Sequence, residues 1–396
     1  MMGPEAMNFD QVIDRRGSNS AKWDGMQSVF GLAPDEGLGM WIADMDFAAP
    51  DFLQAAVQGL LDKANYGYFT GIGAYQDAVV WWMENRHGWR VDPEWMFMPF
   101  GLGNGIGIAI QALSAPQDHI AIMTPVYHEF TLKIRKSGRG LTELPLSQEN
   151  GVYVMDFDRM ERAMSGRESV LIISSPHNPA GRVWSVEEQR AIAAFCIKHD
   201  LILISDEVHH DLVMAGHKHV PMHVAAPEIE DRLVIMTSAS KSFNIAGARL
   251  GNIMIPNPVL RARFAALFQA LDISPNVLGV ELSRAAYSPA GAAWLDELVP
   301  YIQGNAEVFA KGMATLPGAQ AMPMQSTYLA WVDFSGTGMA TEEINHRVIQ
   351  GAKIAATPGH PLGKGGESFM RFNLGTQRAH VEEAIARLHR AFGDLQ

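Results

Sequence analysis

The sequence predicts an α/β fold with a mostly parallel sheet, followed by a smaller α+β C-terminal domain, and three observations predict it. Short apolar runs bounded by turn residues recur at His119 to Thr124, Ser169 to Ser174, Leu201 to Ser205 and Leu233 to Thr237. Each suits a strand buried on both faces, as strands of a parallel sheet are. Helical patterns lie between these runs. The clearest begins at Ser185, where Ser185 and Glu188 have capping-box spacing and Val186, Ile192 and Phe195 supply an apolar face. Beyond about residue 285 the pattern changes to helices around Ala292 to Met313, a strand at Tyr328 to Phe334, and a last helix with Val381, Ile385, Leu388 and Phe392 at helical spacing. Strand, helix, strand as the repeating unit places active groups at the carboxyl ends of strands. The expected division is an N-terminal segment, 1–47, serving the site entrance and the small domain, a large domain, 48–284, and a small domain, 285–396. Gly336 to Gly338 reads as a turn.

With 396 residues, 47% hydrophobic and 19% charged, the chain can bury a full core and is long enough for two domains. Its formal charge of −12, with no blocks of Lys or Arg, lacks the footprint of a nucleic-acid binder. A small phosphate-bearing molecule remains compatible, because a helix N-terminus and one or two cations hold it. The single cysteine, Cys196, rules out an intrachain disulfide and a cysteine-based zinc site; in its apolar run it reads as a buried structural thiol. No leader pattern and no apolar run of membrane-spanning length is present, so a cytoplasmic protein with no membrane partner is expected. Met7 serves as a start as well as Met1 does.

The strongest local signal is the stretch Ser238-Ala239-Ser240-Lys241, continuing to Arg249 and Gly251, directly after an apolar strand. A lysine there, framed by small hydroxyl residues, suits a Schiff base beside a phosphate that Ser hydroxyls and Arg249 can bind. Taken alone, Lys241 is equally a surface lysine in a Ser-rich loop. Asp206 closes the run Leu201 to Ser205, where its carboxylate can pair with a protonated pyridine nitrogen, or serve as an N-cap or loop ion pair. Asn178, in Asn178-Pro179-Ala180-Gly181, can donate to a ring hydroxylate or simply make a turn. Gly101 to Gly105 leads into the helical run Ile106 to Leu113, so backbone N–H groups can cradle phosphate; the spacing fits neither a Rossmann fingerprint nor a P-loop. Tyr127 can stack on a cofactor or belong to the core. Arg371, flanked by apolar residues, needs a partner, either a substrate carboxylate or an internal ion pair.

In this order the residues resemble fold-type I pyridoxal 5′-phosphate (PLP) enzymes of the aspartate aminotransferase superfamily, over nearly the whole chain. The resemblance implies Lys241 as the Schiff-base lysine, Asp206 at the pyridine nitrogen, Asn178 at the ring hydroxyl, Tyr127 stacking, and Arg371 at the substrate carboxylate. It implies the backbone at Leu102 and Gly103, with Ser238, Ser240 and Arg249, at the phosphate, and His209 near the ring. Further segments are similar to the MalY/PatB-like cystathionine β-lyase and cysteine-S-conjugate β-lyase group: Asp14-Arg15-Arg16, Ser20 to Asp24, Trp41 to Phe47, Tyr66-Gly67-Tyr68, Ser205 to His209, Lys241 to Gly247 and Thr327 to Phe334. That likeness implies Ala43 beside the substrate and Tyr68 reaching the phosphate of a neighbouring subunit, hence a homodimer with shared sites.

The implied reaction begins with an amino acid whose carboxylate is held by Arg371 and whose Cα proton goes to Lys241. A leaving group on Cβ then yields pyruvate, ammonia and a thiol, whereas reprotonation on the cofactor yields transamination. Arg249 completes a general aminotransferase-like signature that lyases of the group often lack, so an aminotransferase is the second reading and a PLP-binding regulatory protein the third. The histidines His209, His210, His217, His219 and His223 lack the spacing of a metal motif; no metal is expected, and all but His209 read as solvated loop residues.

Overall fold

The computed structural model describes residues 7–395; the alternative start at Met1 lies outside them. Seven strands form the main sheet: β1 (Met96–Phe97), β2 (His119–Thr124), β3 (Gly140–Pro145), β4 (Glu168–Ser174), β5 (Ile202–Asp206), β6 (Leu233–Thr237) and β7 (Asn252–Met254). Their order is β1-β7-β6-β5-β4-β2-β3. The run from β6 to β3 is parallel, and β7 pairs antiparallel with both β6 and β1.

Period-two side-chain direction explains why the strands are apolar throughout. In β2, Ile120 and Ile122 pack into one core with Ile106, Ile110 and Phe264, while Ala121 and Met123 pack into the other core. The sheet is covered on both sides. Between β4 and β5 runs the helix Val186–Lys198, whose N-terminus is held as its sequence predicts: the Glu188 N–H donates to Ser185 Oγ at 3.1 Å, and the Ser185 N–H to Glu188 Oε2 at 2.7 Å.

A second sheet contains β8 (Gln320–Ala321), β9 (Leu329–Asp333), β10 (Thr357–Pro358) and β11 (Phe369–Asn373), antiparallel in the order β8-β9-β11-β10. Against it pack the helices Pro289–Ala314 and Arg378–Ala391. The former starts earlier than its apolar pattern suggests, because Ser288 caps it and Pro289 suits the first turn. From the N-terminal segment, Leu38–Gly39 pairs in parallel with Ile354–Ala355, tying the first residues to the C-terminal part of the chain. Cys196 is fully buried. Among the described residues, no helix is long and apolar enough to cross a membrane.

Register sets the working edge. Ser174 lies opposite Asp206, and Asp206 opposite Met236, so β4, β5 and β6 end level with one another and Ser238 to Ser242 begins just beyond. Removing the cap that starts the helix after β4, by Ser185→Ala, is expected to cost about 1 kcal/mol. A lowered urea midpoint checks this; an unchanged midpoint contradicts the cap.

Candidate active site

At this edge lies a cavity of about 470 Å³. Lys241, Asp206, Asn178, His209, Tyr127, Ala43, Leu102, Gly103, Ser240 and Arg249 all line it. Lys241 sits on the short helix Ala239–Ser242, and its Nζ donates to the Ala43 carbonyl at 2.8 Å. Tyr328 Oη donates to the same oxygen at 2.9 Å. Burial lowers the Lys241 ammonium to about 8, against the Asp44 carboxylate, which favours the charged form. The amine is therefore partly free near neutral pH.

Asp206 ends β5 and is 5% exposed, with the Val208 N–H at 3.2 Å as its hydrogen-bond donor. Burial raises its carboxyl to about 7, the Val208 N–H and the Lys241 charge opposing. A buried carboxyl so thinly paired calls for a cationic N–H partner in the cavity. His209 is fully buried too; burial drives its imidazole well below the ordinary histidine range, and Nδ1 has no partner.

Asn178 and Arg371 form one unit. Arg371 Nη1 donates to Asn178 Oδ1 at 2.9 Å and Nη2 to the Trp41 carbonyl at 2.8 Å, while Nε is buried without a partner. Desolvation pulls the Arg371 guanidinium down to about 10. No carboxylate pairs with it among the described residues, so the internal ion pair is not its role. With Oδ1 engaged, the Asn178 Nδ2 amide is the donor left for a ligand. The Tyr127 N–H donates to the Asn178 carbonyl at 3.1 Å, tying the aromatic residue to the same turn.

The cavity wall also carries groups that can hold an anion. Gly101, at φ +79, opens the helix Leu102–Leu113, and Leu102 and Gly103 at its start line the cavity. Gly251 allows that approach, since a Cβ there would lie 2.5 Å from Leu102 Cδ2 and 3.2 Å from the Leu102 nitrogen. Arg249 is exposed and Ser240 half-buried on the same wall. Ser238 differs from the sequence expectation: its hydroxyl donates to the Leu250 carbonyl at 2.7 Å, accepts from the Ser240 N–H at 3.1 Å, and does not line the cavity.

Tyr68 is also absent from the cavity of its own chain; it is fully exposed between the helices Asp51–Lys63 and Ile72–His87. Sequence reasoning missed Ser174, Glu129 and Lys133, which line the cavity. The i,i+4 spacing of Glu129 and Lys133 just after Tyr127 was the available signal, and their side chains pair at 3.2 Å.

The histidine reading needs correction. His210 and His219 are buried rather than solvated, because both bond Glu207: His210 Nδ1 meets its carbonyl at 2.5 Å and His219 Nε2 its carboxylate at 3.0 Å. His87, His210 and Asp211 bring potential metal-ligating atoms within 4.8 Å of one another. Asp211 there already accepts from His87, Trp82 and Ser242 at 2.8, 3.0 and 2.7 Å.

An amine, a carboxyl suited to a ring N–H⁺, and a helix N-terminus with Arg249 for an anion, all lining one cavity, together fit PLP, which has an aldehyde, a pyridine nitrogen and a phosphate. The comparisons with known proteins agree. The family model "Aminotransferase class I and II" matches residues 45–388. The chain is 38% identical to the cystathionine beta-lyase PatB of Bacillus subtilis, over 97% of this chain and 100% of that one. It superposes on cystalysin from Treponema denticola, whose structure contains a PLP cofactor, with a TM-score of 0.93 at 32% identity, covering 98% and 100% of the two chains. It also matches a PLP-bound C-S lyase from Staphylococcus hominis with a TM-score of 0.88 at 29% identity, covering 97% and 98%. The chain thus belongs to the class I and II aminotransferase family and, within it, to the MalY/PatB group of fold-type I PLP enzymes.

Proposed function

We propose that this chain is a PLP-dependent carbon–sulfur β-lyase that cleaves L-cystathionine or a related S-substituted cysteine to pyruvate, ammonia and a thiol. The observation that carries the reading is the pairing, in one cavity, of a desolvated Lys241 amine with the thinly bonded, buried carboxyl of Asp206. End-to-end likeness to PatB, a cystathionine beta-lyase, favours elimination over transamination. Arg249 is compatible with either chemistry, because anchoring the phosphate would serve both.

Bound PLP supplies an electron sink for the pair left when the Cα proton departs. Lys241 would hold the cofactor through its amine and would be the base for the Cα proton; its lowered proton affinity suits it to that role at neutral pH. Asp206 keeps the ring nitrogen protonated, and that partner in turn holds Asp206 ionised. Arg371, with Nε unpaired and its fork fixed by Asn178 and Trp41, orients the substrate carboxylate. Asn178 Nδ2 and His209 would serve the ring substituents, Tyr127 would stack on the ring, and Ala43 would border the substrate. The N–H groups of Leu102 and Gly103, with Ser240 and Arg249, would hold the phosphate. Ser238 joins that set only by releasing the Leu250 carbonyl. Overall, the Cβ–S bond would break with both electrons leaving on the thiolate, which gains a proton as Cα gives one up, and one water would be consumed as the remaining three-carbon fragment becomes pyruvate and ammonia.

The working unit is a cytoplasmic homodimer in which Tyr68 reaches the phosphate of the neighbouring site. Each chain divides into the segment 1–47, a large domain 48–284 and a small domain 285–396. The full exposure of Tyr68 on its own chain supports a role across an interface.

Incubated with L-cystathionine and no keto acid, the enzyme is expected to release pyruvate over many turnovers. One equivalent of pyridoxamine phosphate without pyruvate, with turnover only after a keto acid is added, contradicts the lyase and supports an aminotransferase. Mixing Tyr68→Phe with Lys241→Ala subunits tests the shared site by complementation. Hybrid dimers should regain activity from the one site free of both changes; no recovery means that Tyr68 does not act across the interface.

A further inference from the structure

The function gives little work to two singled-out stretches, Arg15 to Asp24 and Trp41 to Phe47, beyond the Trp41 carbonyl that holds Arg371 and Ala43 on the cavity wall. They meet around four charges. Asp46, 2% exposed, accepts at Oδ2 from Lys22 Nζ at 2.7 Å, and at Oδ1 from Arg15 Nη1 at 2.8 Å and Trp23 Nε1 at 2.9 Å. Arg15 Nη2 donates to Asp44 Oδ2 at 2.9 Å. Lys22 is fully buried, and its Nζ also donates to the Asp44 carbonyl at 3.2 Å. Charges out of water persist only when paired, and two cations here balance two carboxylates. Burial alone would raise the Asp46 carboxyl; Lys22, Trp23 and Arg15 hold it below the usual range instead.

The backbone of this strap is pinned from the other side as well. Asn244 Oδ1 accepts from the Met45 N–H at 2.8 Å, and Asn244 Nδ2 donates to the Met45 carbonyl at 2.7 Å. Asn373 Nδ2 donates to the carbonyls of Ile42 and Asp44 at 2.6 and 2.5 Å. What projects from the strap is the Ala43 carbonyl, bonded to the Lys241 amine and the Tyr328 hydroxyl.

We propose that Arg15, Lys22, Asp44 and Asp46 are positioning residues for Lys241: their charge cluster fixes residues 41–46 so that the Ala43 carbonyl carries the Lys241 amine, and it sets the field in which that amine exchanges its proton. The proposal rests on Lys241 being the cofactor lysine. The charged and titratable groups acting on Lys241 are Asp44 and Asp206, which favour its protonated form, and Arg371, which opposes it; Tyr328 shares the Ala43 carbonyl and His209 lies in the same cavity. The sign follows. Removing a cation that neutralises Asp44 strengthens its hold on a proton at the Lys241 nitrogen, whereas removing the Asp44 charge weakens it.

The test is the absorbance of the PLP-loaded holoenzyme against pH, without substrate. Arg15→Gln and Lys22→Met are expected to raise the apparent pKa of the yellow chromophore and Asp44→Asn to lower it, each by about half a unit or more. Mere loosening of the fold would move all three the same way. Shifts in one common direction, or none in a coloured protein, overturn the proposal alone; a colourless wild-type protein overturns the cofactor reading and this proposal with it. Should Lys22→Met not fold, the other two decide, since Arg15 and Asp44 are 21% and 18% exposed.

Discussion

A primary amine held, partly buried, at the carboxyl edge of a parallel sheet is the constraint on which the rest of this structure depends. Desolvation disfavours the ammonium of Lys241, nearby carboxylates restore part of it, and the balance leaves the amine near 8. Every element around it contributes to keeping that nitrogen in place. The strand β6 delivers the short helix that carries Lys241, β5 ends at Asp206, and the strap from the N-terminal segment offers the Ala43 carbonyl.

Burial of so many ionisable groups is costly, and the chain compensates in two different ways. Around the strap the charges are paired within the protein, as in Lys22 with Asp46. At the cavity several are not: on its wall Asp206 keeps one backbone donor and His209 has an orphaned Nδ1, and Arg371, bonded to Asn178 of that wall, has an orphaned Nε. This contrast separates a brace from a binding site. Polar atoms left unpaired beside a cavity call for a ligand that matches them, and the proposed chemistry assigns to them the ring nitrogen, the ring substituents and the substrate carboxylate.

Much of this was legible in the sequence because parallel strands announce themselves as continuous apolar runs, and because Asp206 and Lys241 stand at or just after the ends of two such runs. Asn178 and Tyr127 follow two others in the same way. The charge cluster was not legible, since Arg15 and Lys22 find Asp44 and Asp46 only through tertiary approach across more than twenty residues. Tyr328 read as strand, and nothing local says that its hydroxyl turns to Ala43. His210 and His219 looked like loop residues, yet a single buried carboxylate residue, Glu207, draws both inside. Ser238 and Ser240 could not be told apart by composition; cap geometry turns the first toward Leu250 and leaves the second on the cavity wall.

The central claim, that Lys241 is the amine carrying PLP, is tested most directly by reducing the yellow holoenzyme with borohydride and mapping the modified peptide. A single phosphopyridoxyl adduct on Lys241 is the expected result; an adduct on another lysine, or none in protein supplied with PLP, contradicts it.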